Sequence, residues 1–447
     1  MLEDWLKQRN SSGTIPFRFP LFQSSNIPIF PFASGSRRYI VPKPFMMPSS
    51  PHTHICMVAY TNYPSDARVR REAETLAATP GFQVLFLVLK DGAAPRTYKM
   101  SGVTVKELDI SKYQGKSRKA YIFSYIKFVI LAFTALKHLQ ASGRLDVVHI
   151  HNMPNFLVFS ATLSRLSGKK IILDIHDSIP ETYLSKFNAN GRKKLLFSLF
   201  CAEEALCCRF VHKVVCVNHI QKKTLVSRGL NPDKVIVSLN VPDPRIFTRV
   251  GSKPCAADSG EAFKLIYHGT VTQRLGIDLA IRAVAMLKNE IPQVEFHVMG
   301  KGDDLDDFIQ LSKSLGLENR VYFNKKMVPL EELGQVICRM DVGVIANRKD
   351  MATELMLPVK MLEYMALGIP VVAPRLETIQ HYFTEEMVQY YEPENVDSLA
   401  GAILQLYREK DKQRKQAKAA ERFFDTYGWE THKRDLIGLY RELVPRR

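Results

Sequence analysis

Short apolar runs alternate with longer segments whose apolar residues recur every three to four positions, and the series occurs twice along the chain. The first set of runs is 55–60, 84–89, 147–151, 171–174, 214–217 and 235–239; the second is 265–268, 294–299, 321–323, 342–346, 371–373 and 388–391. Runs that are apolar throughout suit strands covered on both faces, and the intervening segments supply the covering helices, which is the pattern of a parallel sheet. Each series predicts one doubly wound α/β domain, bounded at 51–242 and 263–425. Residues 243–262 carry Pro, Gly, Ser and Asp without a period and read as a linker, and 426–447 as a last amphipathic helix. Residues 1–50 have prolines every few positions, which block both kinds of ladder, so an extension without regular structure is expected there. Two doubly wound domains in one chain imply a cleft between them, with ligands at the carboxyl ends of the strands.

The 447 residues, 46% apolar, are enough for two cores. An excess of 62 Lys and Arg over 45 Asp and Glu gives +17, which points to a polyanionic partner: nucleic acid, an anionic membrane surface or phosphorylated substrates. No aromatic-and-basic motif or zinc finger of the nucleic-acid-binding kinds is present, so no nucleic acid is expected. The seven cysteines include no Cys-x-x-Cys pair, which argues against a zinc ribbon or a disulfide framework and suits a cytoplasmic location. Residues 116–140 are apolar, aromatic and basic together. The stretch between Lys127 and Lys137 is far short of the roughly 20 residues that span a bilayer. A core helix with solvated lysines fits this segment, and so does an interfacial helix resting on anionic lipid.

The richest chemistry sits at 351–375. Pro358 stands where a helix begins, 359–367 runs without a breaker, Gly368 suits the left-handed residue past its end, and Pro370 opens an apolar strand. The head of such a helix offers free N–H groups and the positive end of its dipole, a good seat for phosphate. Lys360 and Glu363 share one face, where they could meet a diphosphate and sugar hydroxyls, or form an ordinary surface ion pair. The segment from Pro358 to Ala373 (PVKMLEYMALGIPVVA) resembles the nucleotide-sugar signature of glycosyltransferase family 4. That resemblance implies the GT-B fold: two facing Rossmann-like domains with a C-terminal helix crossing back to the first. It also implies that Glu363 holds the ribose of a nucleotide diphosphate sugar while the preceding loop touches the diphosphate and sugar. The signature's earlier glutamate falls here on Leu355, with Glu354 one residue before it. Either the loop shifts to bring Glu354 in, or backbone groups take over.

Other loops fall at strand ends. Asp66 or Ser65 can cap the helix after the first strand, and Arg68 in its first turn opposes the dipole, as a contact for an anionic acceptor, for the donor's phosphates or for a neighbouring acid would explain. His149-Ile-His151 closes one strand and Asp174-Ile-His176-Asp177 the next. Two histidines and an aspartate can hold zinc, although buried strand histidines commonly pair with a neighbour, and no metal is expected. By the resemblance, His151 contacts the donor sugar near the reacting carbon, and His176 and Asp177 face the acceptor. In the second domain, Gly269 would admit a ligand to the backbone, and Arg274 could pair with diphosphate where the family often has lysine one position later. Gly300-Lys-Gly302 resembles the family's nucleotide-side turn, while Asp304-Leu-Asp306 reads as helix-start acids rather than a metal motif.

These readings converge on a retaining glycosyltransferase. Its donor is a nucleotide diphosphate sugar bound without a metal cofactor, and its acceptor a glycan or lipid-linked molecule, in surface glycan (exopolysaccharide) biosynthesis. The expected location is cytoplasmic, and a peripheral place on the inner face of the cell membrane would suit the charge. A nucleotide-sugar epimerase of the same architecture is the alternative enzyme, separable by epimer formation in place of nucleotide release. A non-catalytic scaffold is the third reading, and it predicts indifference to Glu363→Ala.

Overall fold

The computed structural model describes residues 52–113, 115, 117–185, 192–248, 262–325 and 328–445. The expected extension at 1–50 and most of the expected linker lie outside the described residues.

The first sheet contains β1 (Thr53–Ala59), β2 (Phe82–Leu89), β3 (Thr97–Met100), β4 (Val103–Leu108), β5 (Val147–His151), β6 (Lys170–Ile175), β7 (Lys213–Cys216) and β8 (Val235–Val237). Its order is β3-β4-β2-β1-β5-β6-β7-β8, parallel except at the β3–β4 hairpin. The second holds β9 (Phe263–His268), β10 (Val294–Met299), β11 (Val321–Asn324), β12 (Val342–Val344), β13 (Val371–Pro374) and β14 (Gln389–Tyr391) in the order β11-β10-β9-β12-β13-β14. Every expected apolar run is a strand; the hairpin, with polar and exposed β3, was not expected from the pattern. Each order reverses direction once, between β1 and β5 and between β9 and β12. At such switch points neighbouring loops diverge and leave a crevice at the carboxyl ends.

Helices cover both faces of each sheet. On the first sheet, Arg118–Ala141 and Arg192–Phe210 pack one side through Phe128, Leu136, Cys207 and Cys208, while Ala67–Ala77 packs the other through Val69, Ala73 and Leu76. The final helix, Trp429–Leu443, joins that second side by burying Leu436, Leu439 and Tyr440 against the first domain, as the resemblance implied. By packing, the second domain begins slightly before the expected boundary, because Leu239 and Val241 already belong to its core. The helix Lys410–Tyr427 also sits in that core, through Ala420 and Phe423.

Candidate active site

The helix Val359–Ala366 follows the extended Pro358, and Gly368, in the left-handed region at φ 72°, ends it. Its Met361, Leu362, Tyr364 and Met365 are buried in the second domain's core, which leaves Lys360 and Glu363 to line a cleft of about 500 Å³ between the two domains. Volumes of this size hold small-molecule ligands. Lys360 and Glu363 are not the surface ion pair that their spacing allowed. Glu363 is buried and bonded through Oε2 to Nε2 of His268 at the end of β9, and the Tyr364 hydroxyl lies 2.9 Å from that ring's Nδ1. Lys360 instead places its ammonium 3.9 Å from the ring centre of Tyr267. Burial brings the Lys360 ammonium down to about 7, against a smaller opposite pull from Glu363.

The glycines around this head are there for close approach. Gly269 lines the cleft opposite Lys360, and a side-chain carbon added there would sit 3.5 Å from the ammonium. Gly300 does not line the cleft but buttresses it: an added carbon would meet the carbonyl of Gly269 at 1.8 Å. Arg274 is half-buried outside the cleft lining, close enough to Tyr267 to act on its hydroxyl electrostatically. Asp304 accepts from the Gln273 amide at 2.7 Å, so that acid braces two turns, as a helix-start acid can.

Glu354 is corrected. Its carboxylate accepts from the Glu377 amide and pairs with Lys349 at 3.4 Å, so it faces the helix Glu377–Tyr382 and is absent from the cleft wall. The adjoining segment from Leu355 to Pro358 lines the cleft instead. Asn218 of the first domain donates to the Leu355 carbonyl at 2.7 Å and so fastens this loop across the cleft. Neither that tie nor His268 was singled out from sequence. An apolar run ending in a lone histidine beside Gly269 was the one available sign of the latter.

The first domain contributes Arg68, His176, Asp177, Ser178 and Thr182 to the opposite wall. Asp66, not Ser65, caps the helix that carries Arg68, accepting from the Val69 amide. Arg68 donates to both Asp174 oxygens at 2.9 Å and to the Ser238 carbonyl at 3.2 Å, so the neighbouring-acid explanation of this residue holds even though it lines the cleft. His176 Nε2 lies 3.1 Å from Asp174 Oδ2 and 3.1 Å from Nδ1 of His151. Burial opposes a charge on His176, but the Asp174 carboxylate outweighs it and holds the imidazole above its ordinary value. Burial likewise works against the Asp174 carboxylate, yet Arg68 and His176 hold it well below the usual range.

His151 itself is 1% exposed and stands behind His176 rather than in the cleft wall, stacked on His149 at 4.3 Å between ring centres. His149 Nδ1 in turn lies 2.7 Å from the Tyr440 hydroxyl of the final helix. Glu72, His149, His151 and Asp174 bring potential ligand atoms within 4.8 Å of one another. Of this buried set, Asp174 is paired with Arg68 and His176. Asp177, exposed at the mouth, is held by Asn152, whose amide donates to its carbonyl at 2.8 Å.

The second half of the chain, residues 262–409, matches the family model described as "Glycosyl transferases group 1", and residues 67–244 match "Glycosyltransferase Family 4". Sucrose-phosphate synthase from Thermosynechococcus elongatus superposes with a TM-score of 0.71 at 18% identity, covering 88% of this chain and 99% of that one. Anabaena HepE, solved with UDP and glucose, superposes at 0.66 with 15% identity over 87% of this chain and 99% of its own. The phosphatidylinositol N-acetylglucosaminyltransferase GPI3 subunit of Saccharomyces cerevisiae (strain YJM789) is 22% identical over 284 residues, 61% of this chain and 58% of the yeast protein. The chitobiosyldiphosphodolichol beta-mannosyltransferase of Candida glabrata is 25% identical over 298 residues, 61% of this chain and 65% of that protein. With one family model on each domain and this architecture, the chain belongs to the family 4-like glycosyltransferases of the GT-B fold.

Proposed function

We propose that the protein moves a hexose from a nucleotide diphosphate sugar to a lipid-linked or polysaccharide acceptor for surface glycan. In this reading the anomeric configuration is retained and no metal is needed at the donor site. It works in the cytoplasm, peripherally at an anionic membrane surface.

The observation that carries the reading is the helix head at Pro358, which opens on an interdomain cleft with Lys360 and a His268-held Glu363 beside it. Departure of the diphosphate builds negative charge on its oxygens. The helix head, Lys360 and, from across the cleft, His176 line that cleft, and in this reading they stabilise the charge with little reorganisation. In this reading Glu363 accepts from the ribose hydroxyls. Retention follows if the departing diphosphate oxygen takes the acceptor's proton on the face it leaves. The hexose and the lipid-linked acceptor draw support from the names of the yeast relatives, which specify N-acetylglucosaminyl and mannosyl transfer to lipid carriers.

A thermal-shift series with UDP, GDP and ADP tests the donor site, because a ligand bound only by the folded form raises Tm. One diphosphate is expected to stabilise the native protein and to lose its effect in Glu363→Ala. Equal shifts in both proteins would remove Glu363 from the site. Formation of a sugar epimer without any acceptor would favour the epimerase, and NMR of the glycosidic product reads retention directly.

A further inference from the structure

Apolar surface is concentrated on one side of the first domain. Of the fifteen large apolar side chains exposed among the described residues, twelve lie on the helix Arg118–Ala141, the loop after β5, the short helix Thr162–Leu166 and the helix Arg192–Phe210, with the turns Asn155–Ala161 packed between them. These elements touch one another, and their inner sides share the core that contains Phe128, Leu157 and Cys207. Their outer sides carry Phe123 at 68% exposure, Leu166 at 78% and Leu195 at 65%. Along Arg118–Ala141 the exposed Ile122, Phe123, Ile126 and Ile130 fall on one stripe. Isolated exposed apolar residues are ordinary, but such a concentration on one face marks an interaction surface.

The charge on this face names the partner. The helix Arg118–Ala141 contains no acid and carries Lys119, Lys127 and Lys137, all exposed, while Lys194, exposed, stands near the start of Arg192–Phe210. A cation near the head of a helix opposes its dipole, so Lys119 and Lys194 gain where an anionic surface meets them. Apolar residues flanked by lysine suit the boundary between acyl chains and anionic headgroups. By length and composition, Lys119–Ala141 would also suffice to cross a membrane, contrary to the expectation from its lysine spacing. Its Phe128 and Ala132 are nevertheless 0% exposed in the domain core, so crossing would dismantle the fold, whereas lying flat leaves that core intact.

We propose that this face rests on an anionic bilayer and that the acceptor's lipid chain stays in the bilayer while its headgroup enters the cleft alongside it. The route is short. Exposed Met153 neighbours Asn152, which holds Asp177 at the cleft mouth, and Ser178 and Thr182 of the cleft wall lie at a helix, Ile179–Ser185, that packs on Arg192–Phe210. The route of the acceptor rests on the glycosyl-transfer reading above; the docking face does not.

Flotation of the full chain with phosphatidylcholine vesicles, with and without phosphatidylglycerol, tests it. Binding is expected to the anionic vesicles and to fall by about tenfold or more in the Phe123→Glu/Ile130→Glu double variant, and likewise in Leu199→Glu and in Lys119→Glu/Lys127→Glu. All these side chains are exposed, so the thermal shift with nucleoside diphosphate should be unchanged in each variant. Failure to float, flotation indifferent to anionic lipid, or flotation indifferent to the substitutions overturns the proposal. A solution dimer that the glutamates split would assign the face to a second copy of the chain instead. A protein that floats but takes no nucleotide keeps this face and loses the transferase reading; the opposite pair of results does the reverse.

Discussion

Lys360 shows how one residue's surroundings become a measurable property. Its ammonium, brought down to about 7 by burial, is charged in only part of the free molecules near neutrality. Under the proposed function a diphosphate meets that charge, so its binding is expected to draw a proton onto the lysine at higher pH. Nucleoside diphosphate affinity is therefore expected to be flat below the lysine's pKa as far as Lys360 is concerned, and to fall by up to about tenfold per pH unit between 7 and 9. Calorimetry in two buffers of different ionisation heat should show uptake approaching one proton per site, and Lys360→Met should bind weakly without that pH dependence. A pH-independent native affinity would contradict the assignment. The type and position of this lysine were legible in the sequence, because a helix start after proline is a local signal. Its partner was not. Glu363, on its helix, is claimed by His268, 95 positions away at the end of a strand, and only the fold brings the two together.

At the scale of elements, the donor wall is a stack of turns with no spare room. Gly300→Ala would drive a methyl carbon into the Gly269 carbonyl, and two backbones cannot yield as a flexible side chain can. The expected cost is about 1–3 kcal/mol of stability, seen as a lower urea midpoint, together with weaker nucleotide binding because the displaced turn carries Gly269 away from Lys360. A variant as stable and as tight as the native protein would show the turn to be slack. Sequence reasoning located every strand that builds this wall, since fully covered strands announce themselves as unbroken apolar runs. It missed the β3–β4 hairpin, where β3 is half solvent and has no such run. It also could not decide which way Glu354 turned, because a one-residue offset in a loop is settled by what the next helix needs at its own amino end, not by the loop.

For the molecule as a whole, the final helix matters most. Tyr440 reaches His149 beneath the cleft, and Trp429 stacks under Arg71 at 4.3 Å to its ring centre. Tyr440→Phe keeps the packing but leaves a buried imidazole nitrogen without its partner, a loss of about 1 kcal/mol. Melting should occur about 2–4 °C lower, with nucleotide binding unaffected because Tyr440 lies outside the cleft wall. An unchanged melting point would mean that water takes the hydroxyl's place.

The chain thus passes between its halves twice, once where Leu239 and Val241 enter the second core and again at Gly428 on the way back. A door hung on two pins swings about the line that joins them and resists every other rotation. Any opening of the two lobes is accordingly expected to turn about that one axis, and under the proposed function a covalent clamp across the far lip of the mouth should arrest turnover with both lobes undisturbed.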